Sequence, residues 1–583
     1  MPGRTIRVLA AVAATAALAA PAAQAGDKDR FEKEPTAVGS GGAAATVDAL
    51  ATKAAIDTLR RGGNAVDATV AAAGVLGVTE PFSAGIGGGG FMVIRTPRGK
   101  VTTIDGREKA PYAMEPDSFL ENGAPLAFAD ARWSGLSAGV PGTVAQWDAA
   151  LDRYGTISLR KALAAGEKVA RRGFEVDQTF FDQTAPNVDF FDDVPSTADI
   201  YLDEDGTPRD VGSTLRNPDL ADTYAYIGRN GARAFYRGPL ARAIARAAQD
   251  PPVARHANHT WRAGLMTARD VRRYDAVWRE PTRIGYKGLD VWGMGPPSSG
   301  GSTVGEALNI LEGFRPLGTD RTQALHRYLE ASRYAFADRN AYLGDPDYVD
   351  VPLDCLLSDA FAAERRALIT DTAVNAPVPR GDCGEPDTVS VTSEGPSTTH
   401  LTVADRYGFV VSYTFTIEST GGNGIVVPGW GFLLNNELTD FDYMPPTTPN
   451  APEGGKRPRS SMAPTIITRD GRPVLATGSP GGSMIITTVL QVLIERLELG
   501  QTLPEAIAAP RASQRNGATS IAEPAFMATE APALSARYRH AFGAPQAEIG
   551  AVTGIEFLDR DQLLAAAEPN RRGGGSAAVV KQP

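Results

Sequence analysis

Thr398 and Thr416 are the residues whose type and spacing could support nucleophilic chemistry. They lie in two stretches rich in Thr, Val, Leu, Tyr and Phe, Ser397–Asp405 and Phe409–Glu418. Turn residues Asp405-Arg406-Tyr407-Gly408 separate them. A hairpin centred on Tyr407 sets Thr398 opposite Thr416, His400 opposite Thr414 and Thr402 opposite Ser412. Because side chains alternate along a strand, one face then carries Thr398, His400, Thr402, Ser412, Thr414, Thr416 and Glu418. The other carries Phe409, Val411, Tyr413, Phe415 and Ile417. A hydroxyl face with a cross-strand hydroxyl pair fits a nucleophilic threonine. The simpler alternative is a solvated strand built from a good strand former.

Other residues offer further chemistry. Arg107, in Asp105-Gly106-Arg107-Glu108-Lys109-Ala110-Pro111, is either a surface charge or a two-pronged clamp for a carboxylate. Gly478-Ser479-Pro480-Gly481-Gly482-Ser483 lies between a strand at Val474–Thr477 and a helix at Met484–Leu497. The helix start presents free N–H groups, which serve as a cap or as donors to an oxyanion. Gly85–Gly90 fits GxGxxG, but the order is helix, glycines, strand. That is wrong for a dinucleotide site and fits close backbone packing or a site wall. Gly135-Leu136-Ser137-Ala138-Gly139 fits the nucleophile elbow of a serine hydrolase, yet Val140-Pro141-Gly142 separates it from the next helix. No His, Cys and carboxylate cluster has metal-ligand spacing, and no cofactor is expected.

The elements that must position these groups are mixed. Helices are expected over Ala43–Arg61, Asn64–Val75, parts of 143–175, most of Asn217–Asp250, the stretch after Gly301 to Leu311, and Thr322–Tyr342. Residues 26–42 read as a frayed start. Residues 374–397, rich in Pro, Gly, Ser and Thr, form the strongest interior linker signal and end at Thr398. At the amino terminus, Arg4 and Arg7 precede an apolar Val8–Ala20 run too short to span a bilayer, then Ala23-Gln24-Ala25. This reads as a cleavable export signal over 1–25, with a short anchor left in place as the alternative, and its Ala-rich make-up points to a bacterium. In an exported chain the two cysteines, Cys355 and Cys383, point to a disulfide, with two unpaired thiols as the alternative. The net charge of −10 in 583 residues gives no support for nucleic-acid binding.

Several stretches together resemble the γ-glutamyltransferase family of N-terminal-nucleophile hydrolases. They are Gly62-Gly63-Asn64-Ala65-Val66-Asp67-Ala68, Gly85–Met92, Arg107–Pro111, Pro296-Pro297-Ser298-Ser299-Gly300-Gly301, Phe336-Ala337-Asp338-Arg339, Thr398-Thr399-His400, Leu434-Asn435-Asn436-Glu437, Arg457-Pro458 with Ser460-Ser461-Met462, and Gly478–Ser483. They follow the family's order across roughly 40–580. The resemblance implies an α+β fold, a four-layer αββα sandwich formed by one precursor. It implies self-cleavage before Thr398 into a large subunit, 26–397, and a small subunit, 398–583. Freed Thr398 would carry both the hydroxyl nucleophile and, in its own α-amine, the base. Thr416 would hold the nucleophile in place. Arg107, Ser460 and Ser461 would bind the α-carboxylate of a γ-glutamyl donor such as glutathione, and Glu418, Glu437 and Asp440 its α-ammonium. Gly481 and Gly482 would stabilise the oxyanion. The glutamyl group would pass to water or to an amino-acid or peptide acceptor.

The chain departs from the family pattern at four places. Glu418 stands where many relatives have asparagine, and Gly421 replaces an aromatic. Arg459 replaces a leucine and is expected to add a cation near the carboxylate subsite; the 441–459 loop is short where relatives carry a lid. Glu418 and Arg459 keep open an acylase of the same fold acting on a glutaryl or cephalosporin amide. A secreted binding protein that never matures is a third reading.

Overall fold

The computed structural model describes residues 32–384, 397–559 and 561–581. The expected export signal and linker residues 385–396 lie outside them. Along the chain come strand β1 (Thr36–Thr46), helices α1 (Ala49–Arg60) and α2 (Ala65–Thr79), strands β2 (Gly89–Arg95) and β3 (Val101–Asp105), and helices α3 (Thr143–Tyr154), α4 (Leu159–Arg172) and α5 (Pro218–Asn230). Strands β4 (Val277–Arg279), β5 (Thr282–Tyr286) and β6 (Leu289–Gly293) precede helices α6 (Gly300–Glu312) and α7 (Arg321–Tyr342). The last third holds β7 (Thr399–Asp405), β8 (Val410–Thr416), β9 (Thr465–Arg469), β10 (Arg472–Gly478), α8 (Met484–Leu497), β11 (Thr553–Phe557), β12 (Leu563–Ala567) and β13 (Ser576–Lys581).

The strands form two packed layers joined through β1. One layer runs β4-β3-β2-β8-β7-β1 with β13 on the far side of β1; the other continues from β1 through β12-β11-β10-β9-β6-β5. β1 pairs with β12 through Thr36–Gly39 and with β7 through Gly42–Ala45, and its register against β13 slips between Ser40 and Ala43. Gly41 and Gly42 have positive φ there, and a Cβ at Gly39 would lie 2.1 Å from the Lys581 carbonyl oxygen. Two expectations are corrected by this strand: residues 36–42 are not frayed, and Ala43–Thr46 is strand rather than helix. The Gly and Ala residues that weaken strand propensity are the ones small enough for a strand changing sheets at a bulge.

Helices cover both outer faces. All 15 residues of α2 are buried, as its near-absence of charge requires. With α1 and α3–α5 it packs on Leu401, Val403, Val411, Tyr413 and Phe415. Helices α6, α7 and α8 cover the second sheet over Ile466, Ile467, Leu475 and Ile555. The result is the αββα sandwich. Cys355 and Cys383 are joined by a disulfide, with Cα atoms 5.7 Å apart. No helix among the described residues is long and apolar enough to cross a membrane.

The β7–β8 hairpin has the register expected from the sequence, with His400 opposite Thr414 and Thr402 opposite Ser412. Asp405 organises its turn: one carboxylate oxygen accepts from the Tyr407 and Phe409 N–H groups at 2.7 and 3.0 Å. The other accepts from the Ala65 N–H at the start of α2, at 2.7 Å. The hydroxyl face is not solvated, because it meets the second sheet. Ser412 Oγ donates to the Thr477 carbonyl at 3.0 Å, and His400 sits beneath Gly478, where a Cβ would come within 2.3 Å of the ring.

Candidate active site

At the open end of the hairpin Thr398 and Thr416 meet. Thr398 Oγ1 donates to Thr416 Oγ1 at 3.2 Å and lies in short contact with the Ser397 carbonyl oxygen. Thr416 Oγ1 accepts from the Glu418 N–H at 2.8 Å and donates to the Ser397 carbonyl at 3.4 Å. The Ser397–Thr398 peptide is thus flanked by two hydroxyl groups within reach of its carbonyl. All of these groups are buried. Gly88 packs against this pair: a Cβ there would stand 1.9 Å from the Thr416 carbonyl oxygen, so the Gly85–Gly90 stretch is a site wall.

The pocket beside Thr398 is lined by Arg107, Glu418, Glu437, Asp440, Ser460 and Ser461, with Gly482 on its rim. Arg107 is fully buried. Its guanidinium donates to Glu437, to Asp440 at 2.5 Å, and to the Pro458 and Arg459 carbonyls at 3.1 and 2.7 Å. Burial opposes its charge, but Glu437 and Asp440 outweigh that and raise its pKa. Burial pushes the Glu437 carboxyl well above its usual range and that of neighbouring Glu108 to about 7. One guanidinium and three carboxyl groups, all buried, match a ligand that carries both an anion and a cation.

Backbone and buried side chains hold these groups. Asp105 accepts from the Arg107 N–H at 2.9 Å and is itself held by Arg279 at 2.7 Å and Arg457 at 3.3 Å. Asn435 bridges Gly87, Gly139 and the Glu437 N–H. Arg339 of α7 donates to Ser461 Oγ at 2.8 Å and to Ser299 Oγ at 2.9 Å, and Ser299 Oγ donates to the Ser460 carbonyl at 2.7 Å. Gly481 and Gly482, at φ 131° and 55°, lead into α8 in conformations that L side chains rarely adopt. Among the described residues neither N–H finds a protein acceptor.

A gamma-glutamyltranspeptidase family model matches residues 51–578. The chain belongs to that family. It is 37% identical over 567 residues to the glutathione hydrolase proenzyme of Bacillus subtilis strain 168, covering 95% of this chain and 94% of that one. Among solved structures, the cephalosporin acylase of Bacillus halodurans superposes with a TM-score of 0.80 at 28% identity, covering 95% of this chain and 98% of that one. The Helicobacter pylori gamma-glutamyltranspeptidase gives 0.52 at 32% identity, covering 59% of this chain and 91% of that one.

Against these family expectations, the structure gathers Thr398, Thr416, Arg107, Glu418, Glu437, Asp440, Ser460, Ser461 and Gly482 around one pocket, with Gly481 beside it. Two expectations change. Arg459 does not add its charge to the subsite. Its guanidinium is buried against Asp442 at 3.3 Å and the Leu343 carbonyl, while its own carbonyl accepts from Arg107 at 2.7 Å. At Gly421 the missing aromatic is replaced from another part of the chain, because the Phe191 ring would meet a Cβ there at 2.7 Å. Ser137 is no nucleophile: its hydroxyl donates to the Arg132 and Ser134 carbonyls. Histidine 400 is buried and held by Thr414 and Thr402.

Arg572 belongs to none of the motifs that single out the other site residues. Its guanidinium donates to the Thr398 carbonyl at 2.6 Å and to Ser83 Oγ at 2.5 Å, with Glu80 at 3.8 Å. Ser83 in turn meets Ser397 Oγ at 3.2 Å. Only the arginine-rich loop hinted at this, and nothing in the sequence placed it beside a residue 174 positions away.

Proposed function

We propose that this chain is an exported, self-processing γ-glutamyltransferase and glutathione hydrolase that uses Thr398 as its nucleophile. The observation that carries the assignment is the Thr398–Thr416 hydroxyl pair on the Ser397 carbonyl, beside a pocket of mixed charge. In processing, Thr398 Oγ1 attacks the Ser397 carbonyl carbon, and the C–N bond gives way to an ester, the proton passing to the departing nitrogen. Water then hydrolyses the ester and leaves Thr398 with a free α-amine. The products are subunits 26–397 and 398–583.

In turnover that amine takes the Oγ1 proton while Oγ1 attacks the γ-carbonyl of the donor. The N–H groups of Gly481 and Gly482 receive the oxyanion, each worth on the order of 3 kcal/mol. Donor binding exchanges partners: the substrate α-carboxylate comes to Arg107, Ser460 and Ser461, and its α-ammonium to Glu418, Glu437 and Asp440. Opposed charges on one carbon fix the glutamyl group before reaction. Thr398 then carries a γ-glutamyl ester that passes to water or to an amino-acid or peptide amine.

An acylase on a glutaryl amide is the second reading, favoured by the superposition on a cephalosporin acylase. A glutaryl group lacks the ammonium, and would bring no counter-charge to the three carboxyl groups that line the pocket. Comparing γ-glutamyl-p-nitroanilide with glutaryl-p-nitroanilide decides between them. Amino-terminal sequencing of the small fragment should begin at Thr398. An active enzyme with an intact Ser397–Thr398 bond would overturn the mechanism.

A further inference from the structure

Glu418 stands in the wall of the Arg107 pocket with φ 77°, in the left-handed region that residues with a Cβ seldom adopt. A turn held there needs surrounding contacts that outweigh its cost. Part of that support is local. The Glu418 N–H donates to Thr416 Oγ1 at 2.8 Å, the Ser419 N–H donates to Asn436 Oδ1 at 3.0 Å, and Ser419 Oγ and Asn436 Nδ2 both donate to the Glu418 carboxylate. Gly421 and Gly422 follow, also at positive φ, so the far side of the turn has little stiffness of its own.

The rest of the support comes from the expected large subunit. Arg132 reaches over the turn, and its guanidinium donates to the Thr420 carbonyl at 2.5 Å, the Gly422 carbonyl at 3.0 Å and Asn187 Oδ1 at 3.1 Å. A planar fork that meets both carbonyls at once suits arginine better than lysine. The guanidinium also lies over the Trp133 ring, 3.8 Å from its centre, and Trp133 stacks on Phe190 with ring centres 4.2 Å apart. Burial lowers the Arg132 pKa to about 10, and the nearby Glu418 carboxylate works against that fall. A buried cation thus spends its donors on the backbone of the one turn that carries Glu418.

We infer that Arg132 is a positioning residue for the amino end of the donor. It clamps the turn after Glu418, keeps that residue in its left-handed conformation with its carboxylate in the pocket wall, and so sets the preference for a donor with an α-ammonium over one without. The inference rests on the γ-glutamyl assignment. Arg107 holds the opposite end of the donor, so loosening this turn weakens the grip on the ammonium and spares the grip on the carboxylate.

The test uses the matured enzyme, with L-glutamate and glutarate as competitive inhibitors of γ-glutamyl-p-nitroanilide turnover. The two inhibitors differ only in the ammonium. In Arg132→Met the inhibition constant of glutamate should rise about tenfold and that of glutarate by less than about twofold, with donor KM following glutamate and kcat held within a factor of about two. Arg132→Lys keeps the charge without the fork and should fall between parent and Met variant. It carries the test if a gel shows that Arg132→Met does not mature. Equal rises for both inhibitors would mean general damage to the pocket and would overturn the inference, as would constants unchanged from the parent's. A parent that binds glutarate as tightly as glutamate, and cleaves glutaryl-p-nitroanilide but not the γ-glutamyl compound, would instead overturn the donor assignment, and the inference with it.

Discussion

At the residue scale, the site depends on hydroxyl and guanidinium groups whose partners are fixed by the backbone. Thr398→Ala removes the attacking oxygen, so the expected product is a single uncut chain without activity, read on a gel. Thr416→Ala removes the hydrogen bonds to Thr398 and the Ser397 carbonyl. A buried hydrogen bond is worth about 1–2 kcal/mol, so processing should slow by roughly tenfold or more, measured as the rate of fragment appearance. Arg572 touches Thr398 through its backbone carbonyl, which makes it a positioning residue for the proposed reaction. Arg572→Ala should lower kcat with little change in donor KM, and Arg572→Lys should restore part of the loss. A change confined to KM would place Arg572 in the donor pocket instead.

At the element scale, the β7–β8 hairpin carries Thr398 and Thr416 at its open end, and its setting depends on the sheet beneath. Its hydroxyl face lies against β10, where Gly478 leaves room for the His400 ring. A methyl group at Gly478 would overlap three ring atoms, so Gly478→Ala should cost about 1–3 kcal/mol and lower the denaturation midpoint. The hairpin register was legible in the sequence because a tight turn and strict alternation leave few alternatives. The environment of its two faces was not, since alternation separates hydroxyl from apolar side chains without saying what covers each. β1 shows the complementary failure: its Gly and Ala residues carry no strand signal, and only its partners on both sides make it a strand.

At the scale of the whole molecule, buried histidines link stability to pH. Burial pushes His400 down to about 3, and burial again, assisted by nearby cations, takes His326 to about 4 and His540 to about 3. A histidine depressed on folding contributes stability that is complete above about pH 6.5 and is lost as pH falls toward the folded value. Glu80 and Glu108, raised by burial to about 7, work in the opposite sense between pH 7 and the ordinary glutamate range. The histidine part is isolated by a variant. The stability gap between the parent and His400→Asn should narrow by on the order of 3 kcal/mol as pH drops from 7 to 4, followed by calorimetry. A gap constant with pH would show that His400 titrates normally.

The sequence by itself set Thr398 opposite Thr416 and, through short motifs kept in one order, pointed to the class of fold and to most of the residues that line the pocket, because strand alternation and motif order are local properties. Tertiary structure decided how those motifs meet. It put Arg107 between Glu437 and Asp440, turned Arg459 toward Asp442, filled the space at Gly421 with Phe191 and brought Arg572 to Thr398. All but the Arg459–Asp442 contact, which lies within one loop, join residues far apart in the chain, and a side chain's local sequence holds no record of which distant group will share its burial or balance its charge.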